Sequence, residues 1–134
     1  MEVDFAFLCD YADNPGKLNA IGIGFDTLFA SSLPHTHPLF FAVIRLRFSS
    51  VEIGDRTFGL RIIDADGNSV TPPIDGAFRV EPPPPGLTDR TVTIAHGFMG
   101  SQFPQYGGYA VVWLVGGNEA KRTPFRVASP PASA

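Results

Sequence analysis

The sequence predicts an all-β protein: an immunoglobulin-like or fibronectin-like antiparallel β-sandwich of about eight strands. Three observations predict it. Tyr109, Val111, Trp113 and Val115 alternate with Ala110, Val112 and Leu114, and period-two alternation rich in β-branched and aromatic residues marks a strand. Gly116-Gly117-Asn118 then supplies the positive φ angles of a hairpin before a second extended run from Thr123 to Val127. Fourteen glycines and thirteen prolines punctuate the chain instead of gathering into a linker, which is the spacing of a sandwich or barrel.

The other elements follow in order. Residues 1–14 and 39–53 are free of glycine and proline. The first stretch sets Val3, Phe5, Phe7, Cys9 and Tyr11 on one strand face and Asp4 and Asp10 on the other. Asn14-Pro15-Gly16 makes a turn. Ile21, Ile23 and Phe25 carry a second strand, whose outward Gly22 and Gly24 imply close approach of another backbone. Phe40, Ala42, Ile44, Leu46 and Phe48 face inward on a third, with Arg45 and Arg47 opposite. Phe58, Leu60 and Ile62 run into the turn cluster Asp64–Asn68. Phe78 and Val80 precede Pro82–Pro85, a polyproline stretch that reads as a stiff crossover between two sheets. Val92, Ile94 and His96 share the inward side of another strand. Phe103 to Tyr109 resembles the corner entering the penultimate strand of such sandwiches, with Tyr109 as the residue whose hydroxyl bonds back to backbone. The domain spans 1–128, and Ser129–Ala134 is a frayed tail.

Bulk properties narrow the function classes. A chain of 134 residues is one domain, large enough to bury roughly two-thirds of its unfolded surface. Its single cysteine excludes an internal disulfide. Net charge is −3 with no basic stripe, so nucleic acid is not an expected partner. No apolar run approaches the ~20 residues that span a bilayer, and Met1-Glu2-Val3-Asp4 lacks a basic signal region, so the expected location is cytoplasmic.

Catalytic chemistry is sparse. His35 and His37, two apart, are the best metal candidates, but Pro34 and Pro38 bracket them in an expected turn and no glutamate follows closely. Asp64, Asp66, Asn68 and Asp75 offer calcium-type oxygens, yet the glycine stands fourth in the loop instead of sixth. Cys9 lies on an apolar face, where a thiol is inert. No Gly-x-Ser-x-Gly elbow occurs. The expectation is a non-catalytic chain without a cofactor.

The wrong face of two strands suggests what it does instead. With Tyr109, Val111, Trp113 and Val115 inward, Ala110, Val112 and Leu114 face out, and so do Phe41 and Val43. A half-solvated sheet should be polar there, and contiguous exposed apolar surface marks an interface. Phe41, Val43, Ala110, Val112 and Leu114 are therefore the expected interface of a homodimer or of a protein partner. The structural alternative is that a loop, such as the crossover at 82–86, covers them. A second reading is a small-ligand or carbohydrate-binding sandwich using Trp113, Tyr106 and Tyr11. A third is a metal-dependent enzyme on His35, His37 and His96.

The opening Val3-Asp4-Phe5-Ala6-Phe7-Leu8-Cys9-Asp10-Tyr11-Ala12 resembles that of an uncharacterised family of short bacterial proteins. The likeness continues at Gly16–Asn19, Gly22–Thr27, Pro72–Ile74, Phe103–Tyr109 and Pro124–Val127. It implies a β-sandwich and assigns no catalytic residue.

Overall fold

The computed structural model describes residues 1–132. Of the expected frayed tail, 129–132 are exposed and irregular, and 133–134 lie outside the described residues. The described chain is nearly all strand: β1 (Glu2–Cys9), β2 (Tyr11–Asp13), β3 (Asn19–Ile21), β4 (Thr27–Phe29), β5 (His35–Ser49), β6 (Gly54–Asp64), β7 (Ile74–Val80), β8 (Asp89–Phe103), β9 (Gly107–Val115) and β10 (Asn118–Ala128). Ten strands stand where about eight were expected, because short β2, β3 and β4 lack a long alternating pattern. They form a three-stranded sheet β1-β5-β8, a five-stranded sheet β4-β10-β9-β6-β7, and the separate hairpin β2-β3. Every pairing is antiparallel except β4 with β10.

The main core lies between the two larger sheets. Phe40, Ala42, Ile44, Leu46 and Phe48 of β5 meet Leu60 and Ile62 of β6, Val111 and Trp113 of β9, and Phe125 and Val127 of β10. The inward parity expected for β5 and β9 is the observed one. Gly116 and Gly117 both have positive φ, 59° and 83°, between directly paired Val115 and Asn118, the two-residue hairpin that glycine permits. The Tyr109 hydroxyl donates to the Gln105 carbonyl at 2.6 Å, so Tyr109 does turn the corner into β9. The proline stretch likewise joins β7 of one sheet to β8 of the other.

Three local expectations differ, and the long β5–β8 pair adds a switch of faces. The β1–β5 register shifts between Val3 and Phe5. The bulge inserts one residue and flips the face that follows. Val3, Ala6 and Leu8 therefore pack toward the main core, while Phe5, Phe7 and Cys9 face away from it. Residues 22–25 are a turn and not a strand, with Gly22 and Gly24 at φ 66° and 83°. The close neighbour at Gly22 is the Asp10 side chain, and the Gly24 amide donates to the Leu8 carbonyl at 2.8 Å. His35 and His37 stand on β5, paired with Phe103 and Ser101 of β8, and not in a turn. Finally, Gly100 at φ 67° lies opposite Pro38. Beyond it the buried residues of β8 change from Phe98 to Ser101 and Phe103, so both strands switch faces there.

Candidate functional site

The two sheets differ on their outer faces. The three-stranded sheet has a second, smaller core on its outside: Cys9, Ala12 and Val43 are buried among Phe5, Phe7, Leu18, Ala20, Phe41 and Ala95. Hairpin β2–β3 supplies Ala12, Leu18 and Ala20 and so covers this face. Val43 is 0% exposed, and Phe41 packs edge-on against Tyr11, with ring centres 5.1 Å apart. Val43 is closed to a partner, and Phe41 is half-buried beneath Tyr11. For Phe41 and Val43 the alternative of a covering segment holds, with 11–21 as the cover and not 82–86.

The outer face of the five-stranded sheet has no such layer among the described residues. Its centre is Ala110, Val112 and Leu114 of β9. Ala110 lies between Ile63 and Pro124, Val112 between Arg61 and Arg122, and Leu114 between Gly59 and Glu119. Val112 is nonetheless only 5% exposed and Ala110 7%. Arg61 and Arg122 flank Val112 in register, and long cationic side chains can lie along apolar surface with their heads in water. Arg61 is anchored by the Ile74 carbonyl and the Asp75 carboxylate, both at 2.9 Å. Arg122 reaches Glu119 at 2.7 Å, a bond that holds the Glu119 carboxyl below its ordinary value. Arg79 pairs with Asp55 at 3.2 Å and Arg126 with Asp26 at 3.6 Å. Of the residues expected at an interface, this face gathers Ala110, Val112 and Leu114. The flanking arginines carry no signal in sequence, because only strand register brings Arg61 and Arg122 beside Val112.

The remaining candidates are distributed elsewhere. The His35 and His37 rings share one face, 3.3 Å apart at Nε2 and Nδ1, and burial, then His35, pushes the His37 pKa down. No group of three metal-binding side chains occurs among the described residues. Burial also lowers the His96 pKa. The Asp64 carboxylate accepts the Asp66 and Asn68 amides at 3.0 and 2.9 Å, closing its own turn, while Asp75 pairs with Arg61. Trp113 is 1% exposed, in the core. Tyr106 walls an open groove of about 770 Å³ floored by Gly107, Gly108 and Pro124, but its hydroxyl is committed to the Ala30 carbonyl at 2.8 Å.

Cys9 is fully buried, and its thiol pKa is raised by burial and then by Asp10. Native protein should therefore react slowly with a thiol reagent and denatured protein fast. Rapid native labelling would mean that hairpin β2–β3 does not seal the face beneath it.

A family profile matches residues 4–128. The chain belongs to a family of unknown function, DUF6941. This agrees with the resemblance carried by its opening motif. Among curated proteins nothing matches the chain. Among solved structures it is similar to Pseudomonas fluorescens alkylpurine DNA glycosylase AlkC bound to DNA containing an abasic site analog, with a TM-score of 0.49 and 10% identity. That match covers 92% of this chain and 30% of the glycosylase chain, so the present chain spans under a third of its length.

Proposed function

We propose that the protein is a non-catalytic interaction module on an immunoglobulin-like sandwich, self-associating through the outer face of its five-stranded sheet. One observation carries the reading: among the described residues a hairpin covers the outer face of the three-stranded sheet, whereas the apolar centre of this face, Ala110, Val112 and Leu114, has only its strand neighbours Arg61, Arg122 and Glu119 beside it. The occupant it fits is a second copy of itself. The face carries cations and carboxylates as neighbouring pairs, Arg61–Asp75, Arg122–Glu119 and Arg79–Asp55. A two-fold axis brings such a mixed surface onto itself with opposite signs in register. Exchange of arginine partners between copies would uncover Val112 and Leu114 for mutual burial. The non-catalytic part is supported by the sealed Cys9 thiol and by two histidines that bond each other.

The obvious variant Val112→Glu is a poor test, since the new carboxylate would pair with Arg61 and Arg122. Leu114→Arg is better, because Glu119 directly opposite accommodates the charge in the monomer. Burying one such apolar side chain is worth roughly 1.5–3 kcal/mol, so the dimer should weaken by about tenfold or more. Light scattering across a concentration series reads this. A wild-type chain that stays monomeric at every concentration removes the proposal.

A further inference from the structure

We propose that the cleft under the β2–β3 turn binds a small phosphorylated molecule, with the phosphate between Lys17 and Arg45 and the organic body against Phe5 and Leu18. The cleft lies on the other sheet from the self-association face, so the two proposals stand or fall separately.

The cleft arises from register. Phe5, Arg45 and Thr93 form one row across the outside of the three-stranded sheet, and Thr91 stands opposite Arg47 in the next. Hairpin β2–β3 seals the apolar rows containing Val43 and Cys9. Its turn, residues 14–18, then runs out over the Arg45 row and leaves a cleft of about 580 Å³. At Gly16 an added Cβ would meet nothing within 4 Å, so the turn is not packed down at that point.

The lining is one-sided in charge. Lys17 and Arg45 face the cleft with Asn14, Thr91 and Thr93, and no carboxylate lines it, although acidic residues outnumber basic ones 13 to 10 in the chain. Lys17 is exposed and makes no ion pair among the described residues. Arg45 has only a share of one carboxylate, its ion pair with Asp4 at 3.3 Å. Asp4, its acidic partner among the described residues, is bound by Arg47 through two hydrogen bonds of 3.0 and 2.7 Å. The Arg45 Nε sits 3.3 Å from the same carboxylate, buried and without hydrogen-bond geometry. Its guanidinium is braced over the Phe5 ring at 6.0 Å, and Arg47 is spent on Asp4 and Asp89. Among the described residues its one ion pair is made through Nε, which leaves the terminal nitrogens for a ligand.

The donor count selects the ligand. An ammonium, a guanidinium end, an amide and two hydroxyls offer more hydrogens than the two oxygens of a carboxylate accept. A phosphate monoester brings three oxygens and a charge of about −1.5 to −2, which two cations match. Phe5 and Leu18 add an apolar wall that a bare ion would not use.

Titration calorimetry and thermal shift with phenyl phosphate test this on the full chain. Saturable binding is expected, weakened about tenfold by Lys17→Gln, the loss of one charge-assisted contact. Arg45→Gln should weaken it at least as much, and Leu114→Arg should leave it unchanged. Lys17 sits in an exposed turn, so its variant keeps the test valid if Arg45→Gln fails to fold. Inorganic phosphate should bind more weakly than the ester, and benzoate more weakly still. Any of the following overturns the proposal: no saturable binding, equal affinity in Lys17→Gln, or benzoate or bare phosphate binding as tightly as phenyl phosphate. A single-stranded oligonucleotide that competes more strongly than phenyl phosphate overturns it too, in favour of nucleic-acid backbone.

Discussion

Val43→Glu should strongly destabilise the fold, although simple alternation along β5 puts Val43 on the water side. Val43 is 0% exposed and belongs to the apolar cluster of Cys9, Ala12, Phe7, Leu18, Ala20, Phe41 and Ala95. A carboxylate there has no partner. It either stays charged in a site that cannot solvate it or takes up a proton, and both cost several kcal/mol. Total stability of a domain this size is about 5–15 kcal/mol. A loss of about 3–4 kcal/mol lowers Tm by on the order of 10–20 °C at this chain length. Hairpin β2–β3 should detach first, and Cys9 should then label at the denatured rate. Leu114→Arg, on the bare face of the other sheet, should move Tm by no more than a few degrees. Thermal denaturation of the two variants side by side separates a covered face from an open one. A Val43→Glu protein with wild-type Tm would mean that the outside of β5 is solvent-facing after all and that Phe41 and Val43 are free for a partner.

That contrast also marks how far alternation reaches. The β9–β10 hairpin, the Tyr109 corner and the inward faces of β5 and β9 were legible because each is a local signal: a periodic run, two glycines, or a tyrosine after a proline-glycine turn. The Asp4 bulge was not legible, since one inserted residue has no side-chain signature yet reverses the face of everything after it in β1. Gly22 and Gly24 fitted a strand's outward positions as well as they fit a positive-φ turn. The cover over Val43 depends on where β2–β3 lands, which is a packing outcome and not a pattern. The candidate interface was half legible for the same reason. Ala110, Val112 and Leu114 can be read from β9 alone, but Arg61 and Arg122 reach Val112 only through the registers of β6 and β10. The Lys17–Arg45 cleft joins residues 28 apart in sequence that no motif connects.

Phe40→Ala should be the costliest truncation in the main core. Phe40 is 0% exposed and sits where both sheets and the 22–25 turn converge. Its ring centre lies 5.0 Å from Phe98 of β8, 5.9 Å from Phe25 and from His37, and 6.1 Å from Phe125 of β10. Removing the ring takes contacts from each neighbour at once, and strands held in a hydrogen-bonded ladder cannot close the gap. Phe→Ala at such a site costs about 3–5 kcal/mol, a transfer loss plus a cavity. Phe40→Leu keeps most of the volume and should cost less than half as much. Urea denaturation measures both: the midpoint should fall steeply for alanine and modestly for leucine, with the slope unchanged. The alanine variant should also loosen Phe125 and with it the inner face of β10, whose outer face carries Arg122 and Pro124. Self-association should then weaken without any change on the surface itself. Equal midpoints for the two variants would mean that the cluster repacks around a missing ring, and that the sandwich is held elsewhere.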